Sequence, residues 1–125
     1  DLSMRDGWPK VHRIVCAVDC GRVVHPDTVH AQLMGASLMG LSAALYEEMS
    51  FEDGRAVQSN FHQYKLLGMA EAPQVDSYIV PSEEDPGGIG EVALPPLAAA
   101  LGNALFSATG VRYRQLPLGK QLKQS

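Results

Sequence analysis

Residues 26–45, PDTVHAQLMGASLMGLSAAL, form the longest apolar segment of the chain and predict a helix. Pro26 suits the first turn of a helix, where its missing N–H is not needed. From residue 31 onward the segment is apolar nearly all the way round, which predicts a buried helix. Gly35 and Gly40 each cost about 1 kcal/mol relative to alanine in a helix interior. Their presence indicates that another backbone, or a ligand, comes very close to this helix.

Short strand and turn patterns lie on both sides of the helix. The apolar, β-branched run at 14–18 predicts a central strand that is covered on both faces. The Asp-Gly pair at 6–7 is typical of a hairpin turn, and the first strand of that hairpin is expected to be missing. Downstream, the Asp-Gly pair at 53–54 predicts a second hairpin and residues 75–80 predict another strand.

A second helix is predicted to open at the two prolines at 95–96 and to end at Gly110, a natural C-terminal cap. Alternation of apolar and basic residues at 111–116 predicts a last, half-exposed strand, and residues 119–125 predict a flexible, frayed tail. The expected fold is one domain, 1–125, of the α/β (α+β) class. Its two main helices pack on a small mixed β-sheet, and one face of this lobe is expected to be covered by other parts of a larger domain.

Composition excludes several classes of protein. The chain has 125 residues, 46% of them apolar, which is enough to bury about two-thirds of the unfolded chain's surface. Ten basic against fourteen acidic residues give a net charge of −4 with no basic cluster, which argues against nucleic-acid binding. Gln32, Ser37 and Ser42 interrupt the longest apolar run, so no transmembrane segment is predicted. Cys16 and Cys20, four apart in an apparent strand, match neither a disulfide nor a zinc pattern, and no metal ligands are predicted.

Glu91 is the strongest candidate for a catalytic residue. Gly87, Gly88 and Gly90 precede it, and such a loop lets backbone approach a ligand that Cβ atoms would block. A carboxylate beside apolar neighbours would be partly desolvated and suited to act as a base. Alternatively, Glu91 only complements the dipole of the second helix. The glycine spacing matches neither a dinucleotide fingerprint nor a P-loop, so nucleotide binding is disfavoured.

Gln32 is the second candidate, because it is a polar residue early in an apolar helix. A buried amide must find hydrogen-bond partners. Hydrogen bonding within the core and binding of a ligand explain this position equally well.

An ordered set of segments resembles the C-terminal region of the molybdenum hydroxylases, the relatives of xanthine oxidase and aldehyde oxidoreductase. Within that family the chain is similar to the molybdopterin-binding large (beta) subunits of the isoquinoline 1-oxidoreductase and aldehyde oxidoreductase type. The segments are VDCG at 18–21, HPDTV at 25–29, QLMG at 32–35, GLSAALY at 40–46, QSNFH at 58–62, PS at 81–82, GGIGE at 87–91, ATG at 108–110 and LP at 116–117.

The resemblance implies that the protein is part of a bacterial enzyme that oxidises N-heteroaromatic compounds or aldehydes with water as the oxygen source. The family's glutamate beside the molybdenum, a general base, corresponds to Glu91, and its pterin-contacting glutamine corresponds to Gln32. Gly87, Gly88 and Gly90 would pass close to the cofactor. The implied cofactor is molybdenum–molybdopterin, expected in its cytosine dinucleotide form. The implied partners are the rest of the large subunit and a small [2Fe-2S] subunit that accepts the electrons.

The chain departs from the family in two positions and in length. Val92 follows the glutamate where many relatives have proline, and His25 stands where many have asparagine. Family members are several times longer, and this chain opens on Asp1 without an initiator methionine. Residues 1–125 are therefore expected to be a fragment that holds no cofactor and is inactive in isolation. Its compartment, bacterial periplasm or cytoplasm, is not predicted.

A rival interpretation is a stand-alone, non-catalytic α/β module for binding or assembly. It would have the same core, with Glu91 acting only on the helix dipole. A reading frame that extends far upstream of Asp1 favours the enzyme, whereas an independent start just before it favours the module.

Overall fold

The computed structural model describes residues 1–122, which contain three helices and six short strands joined by turns and irregular segments. The helices are α1 (Pro26–Leu45), α2 (Pro95–Thr109) and α3 (Leu118–Leu122), and a short 3-10 turn spans Met69–Glu71. The strands are β1 (Leu2–Arg5), β2 (Trp8–Val11), β3 (Arg13–Val18), β4 (Phe51–Glu52), β5 (Arg55–Ala56) and β6 (Gln74–Ile79). The predicted α/β lobe with two main helices is confirmed.

Within the described residues the strands pair as three separate two-stranded sheets. β1–β2 and β4–β5 are antiparallel hairpins, and β3–β6 is a parallel pair. Asp6 and Gly7 turn the first hairpin with φ angles of 50° and 74°, as a tight primed turn requires. The expectation that this hairpin lacks its first strand was wrong, because β1 supplies it.

β3 is not covered on both faces, as its apolar run predicted. Among residues 1–122 its one partner is β6, in a register that runs from Arg13↔Gln74 to Val18↔Ile79. Burial alternates along the strand, and Val15 is 57% exposed on the open face. A continuous apolar run shows that both faces are suited to burial, but it does not place a second layer against them.

Two apolar clusters lie along α1, one at each half of the helix. The larger joins the C-terminal half to α2, α3 and the first hairpin, through Val11, Leu41, Ala44, Leu45, Leu97, Leu101, Leu105, Leu118 and Leu122. The smaller lies at the N-terminal half and contains Cys20, Val29, Leu33, Ala36 and Ala93. Met34 and Met39 remain 49% and 64% exposed, so α1 is not buried all the way round as its composition predicted. No helix in the described range is long and apolar enough to span a membrane.

The close approach expected at the helix glycines occurs at one of the two. A Cβ built on Gly40 would lie 2.9 Å from the carbonyl oxygen of Leu94 and 3.1 Å from Cδ2 of Leu97. A Cβ on Gly35 would have no heavy atom within 4 Å. Gly40 is therefore the point at which α1 meets the start of α2, whereas position 35 has room for a side chain.

Residues 111–116 are irregular, not the half-exposed strand that their alternation predicted. The backbone N–H groups of Arg114 and Gln115 donate to Oε1 of Gln121, at 3.1 and 3.4 Å, rather than to a neighbouring strand. Alternation of apolar and polar residues indicates that one side of a segment faces the protein and the other faces solvent. An irregular segment lying on the surface also has two such sides.

The frayed tail predicted from residue 119 is wrong over residues 119–122, which belong to α3. Leu118 and Leu122 are each 3% exposed within the larger apolar cluster. This burial holds the segment against the core, a contact that its polar composition did not indicate. The rest of the predicted tail, 123–125, lies outside the described residues.

A polar network surrounds Tyr46 at the end of α1. Its hydroxyl donates to the Glu71 carboxylate, and its ring stacks on Trp8 with the ring centroids 5.6 Å apart. The Lys65 ammonium lies 3.7 Å from the centre of the Tyr46 ring. Burial, followed by the hydrogen bond with Glu71, raises the pKa of Tyr46 to about 12. The same hydrogen bond is the main cause that lowers the pKa of the Glu71 carboxyl.

We expect an alkaline titration of tyrosine absorbance to show one phenol that ionises near pH 12. The Tyr46→Phe variant should lack this transition, and Glu71→Ala should move it to lower pH by removing the acceptor and its charge. The folded-state pKa of Tyr46 lies above its ordinary value of 10.0, so its contribution to stability is present below pH 10 and lost as the pH rises through 12. Glu47→Ala is the control, because Glu47 accepts from Tyr64 instead. A transition unmoved by Glu71→Ala would contradict the assignment.

Candidate functional site

The glycine loop begins where the chain after β6 runs beside the turn after β3. The N–H of Val80 donates to the carbonyl of Val18 at 2.8 Å and extends the parallel pair by one residue. Two further backbone hydrogen bonds follow, from Arg22 N–H to the Glu84 carbonyl at 2.9 Å and from Gly87 N–H to the Cys20 carbonyl at 2.8 Å. Backbone contacts therefore hold the loop up to Gly87.

The far end of the loop is held by the start of α2. Ala93 is buried in the smaller apolar cluster, and the carbonyl of Leu94 lies against Gly40 of α1. The N–H of Leu94 donates to the carbonyl of Glu91 at 3.0 Å, which closes a tight turn. Glu91 thus lies on a short span between two fixed points, Gly87 and Leu94.

Gln32 and the loop come together. A Cβ built on Gly90 would lie 3.9 Å from Nε2 of Gln32. Ile89, half-buried against the smaller cluster, holds this part of the loop next to α1. The Gln32 side chain is exposed, and its amide has no hydrogen-bond partner among residues 1–122. Of the two sequence interpretations of Gln32, hydrogen bonding within the core is therefore wrong for this part of the chain.

The Glu91 side chain is exposed, so the partial desolvation expected from its apolar neighbours is absent within the described residues. α2 begins at Pro95 with Leu94 as its N-cap, and its first turn contains no acidic residue. The field of a helix terminus acts mainly within the first turn. Glu91 lies before that turn, so the alternative of a dipole partner has no geometric support.

The glycines form an open cradle beside these two side chains. Gly87 and Gly88 are exposed, and a Cβ on Gly88 would have no heavy atom within 4 Å. Across the described range no group of three or more His, Cys, Asp or Glu side chains is placed to hold a metal ion. Cys16 and Cys20 are free thiols, with Cys16 Sγ 3.2 Å from the Ser37 hydroxyl. The cradle therefore offers backbone, an amide and a carboxylate, but no metal ligands.

His25 is one of the two positions at which the sequence departs from the family resemblance, and it caps a helix. Its Nδ1 accepts a hydrogen bond from the Thr28 N–H at 3.2 Å, so His25 caps the N-terminus of α1. Gly21, in the turn after β3, was given no structural role from the sequence alone. Its place at the end of the VDCG segment, directly after the strand run, is the sequence feature that could have pointed to it.

The family model of the molybdopterin cofactor-binding domain matches residues 2–73, more than half of the chain. The chain belongs to this family. The match contains Gln32 and ends before the glycine loop. The resemblance to the molybdenum hydroxylases is confirmed.

Curated relatives and a solved structure agree with the family. The chain is 41% identical to a membrane-bound aldehyde dehydrogenase (pyrroloquinoline-quinone) of Gluconacetobacter polyoxogenes, over 85% of this chain and 14% of that protein. It is 39% identical to the beta subunit of isoquinoline 1-oxidoreductase from Brevundimonas diminuta, over 91% of this chain and 15% of the relative. Quinoline 2-oxidoreductase from Pseudomonas putida 86 shares the fold with a TM-score of 0.83, at 20% identity, over 94% of this chain and 16% of the other.

The chain thus spans about a seventh of the length of the curated relatives it matches. It aligns with part of a large subunit, so the activity of a whole enzyme is a matter for proposal.

Proposed function

We propose that the protein containing this chain is a molybdenum hydroxylase that oxidises an N-heteroaromatic compound or an aldehyde. The observation that carries the proposal is the convergence of Gln32, the glycine cradle and Glu91 at one exposed edge of a molybdopterin cofactor-binding fold. The names of the relatives, an aldehyde dehydrogenase and an isoquinoline oxidoreductase, support both substrate classes.

The residues at this edge fit a pterin cofactor. Gln32 presents an amide without a partner in the described part of the chain, and an amide both donates and accepts hydrogen bonds. Gly88 leaves open space where a side chain would fill the cradle. Gln32, Gly87, Gly88 and Gly90 would hold the pterin, which we expect in the cytosine dinucleotide form. The molybdenum cofactor supplies the two-electron redox chemistry.

Glu91 would provide the proton transfer. The overall conversion is RH + H₂O → ROH + 2e⁻ + 2H⁺, so one proton comes from the water whose oxygen enters the substrate and the other from the C–H bond. The Glu91 carboxylate would accept the proton from water as general base, and the backbone hydrogen bonds at Gly87 and Leu94 on either side of it support this assignment. The electrons would leave through a small [2Fe-2S] subunit, and the remainder of the large subunit would complete the pocket. The 125-residue chain alone would therefore be inactive.

Metal analysis and isotope labelling test this function on the protein expressed from its native gene with any subunits that co-purify. We expect stoichiometric molybdenum, release of a cytidine nucleotide on acid treatment, and ¹⁸O from labelled water in the product formed from isoquinoline or an aromatic aldehyde. A quinone in place of molybdenum would contradict the proposal. A folded protein with neither metal nor turnover would support the non-catalytic module.

A further inference from the structure

Gly21 occupies a position in the turn after β3 that no side chain fits. It is buried and has φ +72°, a conformation that L residues rarely adopt. A Cβ there would lie 2.9 Å from the carbonyl carbon of Asp85, 3.0 Å from the carbonyl oxygen of Glu84 and closer still to that of Asp85. These atoms are backbone, so no side chain can move aside to relieve the clash.

Packing sets Gly21 apart from the other glycines of left-handed conformation. Gly7, Gly54 and Gly110 also have positive φ, at +74°, +75° and +73°, but a Cβ on any of them would have no heavy atom within 4 Å. Turn geometry alone accounts for those three. At position 21 the absence of a Cβ is also needed for close packing, because the backbone of Glu84 and Asp85 lies directly against it.

This contact lies between the two hydrogen bonds that begin the glycine loop. One joins Arg22 to Glu84 and the other joins Gly87 to Cys20, so Asp85 is held directly against Gly21. The turn itself is closed by the Gly21 N–H, which donates to Oδ1 of Asp19 at 3.1 Å. Gly87 is four residues from Glu91, a span of at most about 14 Å. A shift at position 85 would therefore move the anchor at Gly87 from which this short span leads to Glu91.

We infer that Gly21 is a positioning residue for Glu91, with the Asp19 carboxylate holding the turn that presents it. The inference rests on the role proposed for Glu91. General bases act at hydrogen-bond distance, and a misplacement of about 1 Å can cost about a hundredfold in rate. A methyl group at position 21 would push the start of the loop outward and would act on Glu91 through the anchor at Gly87.

The test compares Gly21→Ala with Gly54→Ala in the native protein. Both variants force alanine into positive φ, but only the first meets the loop. We expect Gly21→Ala to lower kcat by about 10- to 100-fold. Its KM should stay within about threefold of the control, because the inferred effect falls on proton transfer by Glu91 and not on binding of the substrate. Amide hydrogen exchange over residues 84–91 should be faster than in Gly54→Ala, a readout independent of turnover.

A second pair of variants, at Asp19, tests the same inference if Gly21→Ala does not fold. Asp19→Ala removes the acceptor that closes the turn and should lower kcat while speeding exchange at 84–91. Asp19→Asn keeps an Oδ1 acceptor and should restore both. Equal kcat and equal exchange in each variant and its control would overturn the inference. Faster exchange together with full activity of Glu91→Gln would instead show that the loop is held as inferred and that the base assignment fails.

Discussion

Replacement of Glu91 by glutamine is expected to lower kcat of the native protein by about 10²- to 10⁴-fold, the usual contribution of a positioned base. Glutamine keeps the size and a hydrogen-bonding end of the side chain but takes up no proton at neutral pH. Glu91 is exposed and its side chain makes no hydrogen bond to the described residues, so the substitution should not disturb the fold. Molybdenum content should therefore equal that of the wild type.

Glu52→Gln is the matched control for this prediction. Glu52 is also exposed, on the β4–β5 hairpin, where it would serve no proton transfer. Steady-state kinetics and metal analysis of both variants separate the outcomes. A Glu91→Gln enzyme as active as Glu52→Gln would show that Glu91 is not the base. Loss of metal together with activity would make Glu91 a residue that retains the cofactor.

Alanine at Gly40 and alanine at Gly35 are expected to change stability in opposite directions, although both lie in α1. Gly40→Ala places a methyl group 2.9 Å from the Leu94 carbonyl oxygen, so α1 and α2 must separate. Overpacking of this kind costs about 1–3 kcal/mol. Gly35→Ala meets open space and should stabilise the helix by about 0.5–1 kcal/mol through propensity alone.

Urea unfolding of the 125-residue chain measures both effects. Trp8 is the single tryptophan of the sequence, and it stacks on Tyr46 next to the larger cluster, so its fluorescence reports the transition. Shifts of the midpoint in the same direction for both variants would contradict the close approach at Gly40. Because Leu94 also anchors the far end of the glycine loop, Gly40→Ala should in addition speed amide exchange at residues 91–94.

Local chemistry was enough to predict four features: the length of α1, both Asp-Gly hairpins, the strand near 75–80 and the start of α2 at Pro95. Each depends on residues that act within a few positions of one another: proline at a first turn, Asp-Gly in a primed turn, glycine at a C-cap. The candidate site residues Gln32 and Glu91 were found by their unusual surroundings and by the family resemblance. The sequence could not predict that Gln32 lies beside the loop that carries Glu91, because 58 positions lie between these two residues.

Local patterns failed where a second element decided the outcome. The run at 14–18 has two apolar faces, but β6 and α1 cover only part of it, and nothing in the run states what lies across the sheet. Residues 119–122 look polar and mobile, yet Gly119 and Leu122 are buried, because α3 brings Leu118 and Leu122 into the larger cluster. Gly35 and Gly40 have the same intrinsic cost in a helix, and only the arrival of Leu94 at one of them separates a required glycine from a replaceable one. Propensity and periodicity are properties of neighbours in sequence, whereas contact between distant backbones depends on how helices and turns cross in space. That crossing brings the backbone of Gly21 and the side chain of Gln32 against the glycine loop.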